Sequence, residues 1–197
     1  MKKKTAALFL ALALVVGATI GGTIAWLTAT TTPVVNTFTT SDIDITLTET
    51  NATENADGTA YKNSYKMVPG CTITKDPKVT VATGSEECWL FVKLEKSDNF
   101  DTYMTYEIAD DWTPLDGVEN VYYRHVTTDM MGEEHAFPVL KDNQVTVKKD
   151  VTKEQMNALE KSTNYPTLTV TAYASQYMNN TEHFEPIDAW NNVYKGN

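Results

Sequence analysis

The sequence predicts an all-β protein, a jelly-roll-like β-sandwich with one or two short helices. Two observations carry this expectation. Apolar residues recur with period two over about seven or eight short segments, the spacing that places alternate side chains on one face of a strand. Turn-forming Gly, Pro, Asp and Asn residues punctuate those segments, and many short strands so punctuated make sandwiches and jelly rolls. With 42% hydrophobic residues in 197, the chain can bury a core, and the length suits one domain, or one domain plus a targeting segment.

The first element is not part of that fold. Met1 and the three lysines Lys2, Lys3 and Lys4 form a positive cluster, and residues 6–20 (AALFLALALVVGATI) carry no charge. Thr23 and Ala25 stand at the −3 and −1 positions of a signal peptidase site, so cleavage is expected between Ala25 and Trp26. A second site after Ala29 is available, and residues 6–27 also offer the roughly 20 residues of a retained membrane anchor. The expected organisation is a cleaved signal over 1–25, an N-terminal segment over 26–41 and a β-sandwich over 42–197. The protein is expected outside the cell, with a membrane contact only before processing.

The first strand follows at 42–48, where Ile43, Ile45 and Leu47 share one face and Asp42 and Asp44 the other. Residues 78–82 repeat the alternation. Residues 88–94 (CWLFVKL) are almost continuously apolar, as expected of a central strand covered on both faces. Segments 103–108, 121–126, 144–148 and 168–173 complete the set. The separating turns are Asp57-Gly58, Pro69-Gly70, Thr83-Gly84-Ser85, Asp116-Gly117 and Asp142-Asn143. A capping box, Thr152 with Gln155, opens a short helix over 151–161 with Met156 and Leu159 on one stripe. A second helix is expected over 186–194, with Trp190 and Val193 facing the core.

Export makes a disulfide between Cys71 and Cys88 chemically sustainable. The loop it would close, of about 17 residues, is worth on the order of 3 kcal/mol in the chain-entropy model. Two free thiols fit the sequence equally well. Neither cysteine carries the flanking signature of a thiol protease, and HExxH, GxSxG, Walker and dinucleotide motifs are absent. His125, His135 and His183 read as surface or structural histidines. The carboxylate pairs Asp42/Asp44, Glu86/Glu87, Asp110/Asp111 and Glu133/Glu134 do not fit a twelve-residue calcium loop and read as a solvated face, with a weak cation site as the alternative. The tyrosines, with Tyr122 and Tyr123 adjacent, read as core and cross-strand residues, with a ligand-stacking surface as the alternative. No catalytic, cofactor-binding or metal-binding set is therefore expected. A formal charge of −10 argues against a nucleic-acid partner, which needs clustered Lys and Arg.

Several segments in order resemble the TasA/camelysin family. Gly21-Gly22-Thr23-Ile24-Ala25-Trp26-Leu27 is followed by Val35-Asn36-Thr37-Phe38 leading into the alternating strand at 42–47. Val68-Pro69-Gly70 with Thr74-Lys75-Asp76 is similar to the family's "PG…TKD" segment, and residues 169–176 and 188–193 to its terminal strand and Ala-Trp helix. Residues 97–142 match nothing in the family pattern, and Cys71 stands where a polar residue is usual. The resemblance implies a jelly roll exported through the signal peptidase SipW by a Gram-positive bacterium. It implies assembly into biofilm matrix fibres, a head-to-tail homopolymer in which the N-terminal strand of one subunit adds to the next. Residues 29–40 (ATTTPVVNTFTT) suit that role, being uncharged and rich in β-formers, and equally suit the first strand of their own sandwich in the resting subunit, from which the strand would swap to a neighbour. The donor residues would be Thr32, Val34, Val35, Thr37 and Phe38, with Val34 and Phe38 on one face. Some relatives are described as metalloproteases, but no zinc set is recognisable here. The alternatives are a camelysin-like metalloprotease and a monomeric cell-surface binding module.

Loss of residues 1–25 would remove three lysines and no acid, taking the formal charge from −10 to −13. Acidity thus belongs to the exported part and favours solubility. Against it, the uncharged stretch 29–40 is the place where association is not opposed by charge.

Overall fold

A computed structural model describes residues 42–54, 61–159, 164–179 and 181–194, all within one compact unit spanning 40–197. The signal, its cleavage site at Ala25 and Trp26, and the donor residues Thr32, Val34, Val35, Thr37 and Phe38 lie outside the described residues. The strands are β1 (Ile45–Thr48), β2 (Thr53–Glu54), β3 (Tyr61–Lys62), β4 (Thr72–Thr74), β5 (Lys78–Val81), β6 (Cys88–Lys96) and β7 (Met104–Ile108). They continue as β8 (Thr113–Pro114), β9 (Val121–Val126), β10 (Phe137–Pro138), β11 (Leu140–Val147) and β12 (Leu168–Gln176). The helices are α1 (Phe100–Tyr103), α2 (Lys153–Asn157) and α3 (Pro186–Val193).

All strand pairs are antiparallel. Three-stranded sheets β1-β5-β10 and β4-β11-β7 are knitted into one layer. Lys75 N–H donates to the Asn143 carbonyl at 2.8 Å, and Val139 N–H to the Pro77 carbonyl at 3.0 Å, so the ladder runs on from one sheet to the other. The second layer is the sheet β12-β6-β9-β8; β2 and β3 form a separate ribbon. The all-β sandwich predicted from periodicity is what the chain forms.

Alternation decides what each face meets. In β6, Cys88, Leu90, Val92 and Leu94 point to the other layer and are fully buried with Val79, Val81, Val126 and Val147. Phe91 points the opposite way and is buried against Leu115, Val121, Ala189 and Trp190. Helix α3 thus supplies the outer cover for β6, which accounts for the unbroken apolar run in its sequence. Tyr122 and Tyr123, adjacent in β9, divide between the two faces as period two requires.

The capping box of α2 forms as read: Gln155 N–H donates to Thr152 Oγ1 at 3.2 Å and Thr152 N–H to Gln155 Oε1 at 2.8 Å. Asp142-Asn143 departs from expectation. Both residues have positive φ, 53° and 54°, but they lie inside β11, where the register shifts between Leu140 and Val145. The dipeptide makes a bulge in a long strand, because the ladder resumes on the same partner. Helix α1 and the short strands β2, β3, β4, β8 and β10 were beyond periodicity, being two to four residues long.

Both cysteines are free thiols: Cys88 is buried at the start of β6 and Cys71 is exposed beside the Pro69-Gly70 turn. Burial, with the neighbouring Glu87 charge, pushes the Cys88 thiol up to about 12, so it is an inert core group. A thiol reagent should therefore label one cysteine per folded chain and two after denaturant. Substituting Cys71→Ser should abolish the fast reaction, and equal labelling before and after unfolding would contradict this packing.

Candidate functional site: the open side of the sandwich

The two long sides of the sandwich are finished differently. On one, residues 109–112 carry the chain from β7 into β8. Trp112, 5% exposed, donates its indole N–H to the Pro138 carbonyl at 2.8 Å. The Arg124 guanidinium lies over the Phe137 ring at 3.9 Å and the Trp112 ring at 5.6 Å, a packing use of its planar cation. Burial holds its pKa below the usual value, and Asp111 at 3.9 Å offsets part of that. This side is plugged.

The other side is bounded by β1 and β12, which touch each other across the layers. Each has one hydrogen-bonded neighbour among the described residues, β5 for β1 and β6 for β12. Ser97 N–H bonds the Thr167 carbonyl and Tyr177 N–H the Glu87 carbonyl, both at 3.0 Å. In an antiparallel ladder the bonded pairs alternate, so odd-numbered residues of β12 face β6. Leu168, Val170, Ala172, Ala174 and Gln176 turn their N–H and C=O groups outward. The same logic from Ala82 N–H to the Asp44 carbonyl, 2.8 Å, leaves those of Ile45 and Leu47 outward on β1.

Side chains follow the backbone. Ile43, Ile45 and Leu47 on one edge, and Leu168, Val170, Ala172 and Ala174 on the other, face the core yet are only partly buried. Their neighbours Val79, Val81, Leu90, Val92 and Leu94, one strand further in, are fully buried. Among the described residues, the hydrophobic interior is thus incompletely covered along this seam.

Sheet edges attract stray strands unless they are short, charged or interrupted by proline. Strands β8 and β10 have two residues each and carry Pro114 and Pro138; β7 carries Glu107. Strand β12 (LTVTAYASQ) has nine residues and neither charge nor proline. Sequence periodicity identified it as a strand, but a strand becomes an edge only through which partners it lacks. The signal available in the sequence was that run without a charge.

A polar network beneath β1 fixes its far end. Glu49 accepts from Lys75 Nζ at 2.9 Å, from Asn63 Nδ2 at 3.0 Å and from the Tyr65 hydroxyl. Asp76 accepts from Thr50 N–H at 3.1 Å and Thr50 Oγ1 at 2.7 Å. Burial works against ionisation of Glu49, but the bonds from Tyr65, Asn63 and Lys75 outweigh it and its pKa is lowered. Burial and the Glu49 carboxylate together raise that of Tyr65.

The residues with chemical potential in the sequence are dispersed. His125 stacks on Tyr177 at 4.0 Å, and His183 on Tyr177 at 5.4 Å, within an aromatic group that includes Trp89. Glu87 Oε1 lies 2.7 Å from His125 Nε2 but off the line of a ring hydrogen bond. His135 is exposed in a 3-10 turn (Glu133–His135). Asp110 pairs with Lys141 at 3.2 Å and Asp111 with Arg124, while Asp42 and Asp44 are exposed opposite Ile43 and Ile45. Among the described residues no three His, Cys, Asp or Glu side chains gather where they would hold a metal ion. No helix among them is long and apolar enough to cross a membrane. No family model, curated protein or solved structure matches the chain.

Because the Glu49 pKa is depressed in the fold, its stabilisation is whole above the ordinary carboxylate range and is lost as pH falls through the folded value. Glu49→Gln should cost about 1–3 kcal/mol at pH 7. In urea unfolding the gap to the parent should close below about pH 4; a gap constant with pH would exclude an ionised Glu49 network.

Proposed function

We propose that the chain is a secreted structural protein that assembles into extracellular, biofilm-matrix fibres, the N-terminal segment of one subunit adding as a strand to the next. The observation that carries this reading is the open seam between β1 and β12, with a nine-residue edge lacking charge or proline. An edge of that kind accepts a strand through its backbone and takes specificity from alternate side chains. The segment that precedes the domain has the matching composition, with no charge over 29–40. Such an addition is heterologous and does not close on itself, so it propagates as a filament. A domain of net negative charge repels its copies elsewhere, which favours end-to-end over lateral association. The resemblance to the TasA/camelysin family supports the same reading and adds SipW-type processing at Ala25 and Trp26.

A metalloprotease would need about three protein ligands around a zinc ion, and the described residues offer no such group. The binding-module alternative predicts a monomer at all concentrations. Protein starting at Trp26 should form filaments by negative-stain microscopy. The same protein without residues 26–40 should elute as a monomer with an unchanged circular dichroism spectrum. Filaments undiminished by that deletion would overturn the proposal.

A further inference from the structure

We infer that Lys75 and Asn63 are the partners of an intramolecular isopeptide bond, formed after folding with Glu49 as the proton carrier. The bond belongs to the polar network beneath β1 and does not depend on fibre assembly.

Chain topology brings the three groups together. Glu49, Asn63 and Lys75 are each the first residue after a strand, β1, β3 and β4 respectively, so three strand ends converge on one spot. Glu49 sits between the other two. Its Oε2 accepts from Lys75 Nζ at 2.9 Å and its Oε1 from Asn63 Nδ2 at 3.0 Å. A primary amine, a carboxamide and a carboxylate thus share one hydrogen-bonded cluster. These are the nucleophile, the electrophile and the acid–base group that amide exchange requires. The Lys75 and Glu49 side chains are only 13% and 16% exposed, which limits competition from water.

The frame around the cluster is pinned at several points. Asp76, beside Lys75, accepts from the N–H and Oγ1 of Thr50, beside Glu49. Lys75 N–H is bonded to the Asn143 carbonyl at 2.8 Å, and Asn63 Nδ2 also reaches the Thr50 carbonyl at 3.0 Å. Groups held together in this way react with effective molarities that reach on the order of 10⁵–10⁸ M when well oriented. The flexible lysine stem supplies the final approach of Nζ to Asn63 Cγ.

The step balances without an outside reagent. Glu49 takes a proton from the Lys75 ammonium, and the freed amine attacks Asn63 Cγ. The Nζ–Cγ bond forms and the Cγ–Nδ2 bond breaks. Nζ gives up two protons in all, and Glu49 passes both to the departing nitrogen, which leaves as ammonium. Glu49 ends as the carboxylate it began as, and nothing is oxidised or reduced. Because its pKa is lowered in the fold, the proton rests mostly on Lys75. The reactive neutral amine is therefore a minor state, and the bond forms slowly. Until it forms, Glu49 titrates as the partner of a charged lysine. Once formed, the bond fastens the β2–β3 ribbon, only two residue pairs long, to the first layer, in a chain whose cysteines are free thiols.

Intact mass tests this directly. Protein starting at Trp26, kept folded at mildly alkaline pH, should become lighter than its sequence by one ammonia. Trypsin should then release a branched peptide joining Asn63–Lys66 to Met67–Lys78, uncleaved after Lys75. The same protein held in urea should keep its full mass. Lys75→Arg keeps the ion pair but removes the nucleophile; it should match the parent's circular dichroism spectrum and keep its full mass, as should Asn63→Ala. A folded parent that retains its full mass after prolonged incubation would overturn the inference. Loss of ammonia from Lys75→Arg at the parent's rate would also overturn it, by marking cyclisation of Asn63 onto its own backbone.

Discussion

Strand β6 is hydrogen-bonded along both edges and covered on both faces, and the remaining elements are arranged by it. Its register with β12 and β9 sets the second layer. Its inward residues, Cys88 to Leu94 alternately, define the plane on which the first layer packs, and its outward Phe91 seats Trp190 of α3 at a ring separation of 5.4 Å. Each buried Leu or Val contributes on the order of 1.5–3 kcal/mol by burial. A strand carrying apolar residues on both faces can therefore hold two separate packing layers. The acidic surface is tolerated because this interior is made almost wholly of uncharged side chains.

The sandwich is asymmetric in how it ends. Trp112 and Arg124 close one side with an indole hydrogen bond and a cation packed over two rings. Across the core, β1 and β12 leave backbone donors and acceptors turned outward and apolar side chains partly covered. Among the described residues β12 has one hydrogen-bonded neighbour, and an edge of nine residues without charge or proline invites further pairing. The strand addition proposed above would use this edge, which carries neither charge nor proline.

Much of the fold was legible in the residues. Alternation located β1, β5, β7, β9, β11 and β12, the apolar run located β6, and the Thr152–Gln155 box located α2, because each depends on neighbours a few positions away. Elements of two to four residues escaped, being created by tertiary hydrogen bonds with too few side chains to make a period. Asp142-Asn143 was misread for a related reason. The dipeptide favours positive φ wherever it occurs, but whether the chain then reverses or bulges depends on the partner strand, and here β4 and β7 hold it in line.

By itself the sequence determined which residues face inward, where helices are capped, that the domain is strongly acidic and that the stretch before it is not. Those properties are carried by side-chain type and local spacing. The tertiary structure alone decided which of the described strands are edges, that Cys71 and Cys88 remain separate thiols, that Arg124 is a packing group, and that the described residues cover β1 and β12 only partly. Edge, seam and burial are relations between segments far apart in the chain. They come into being only when β6 brings β12 and β9 to its flanks and β1 across the core.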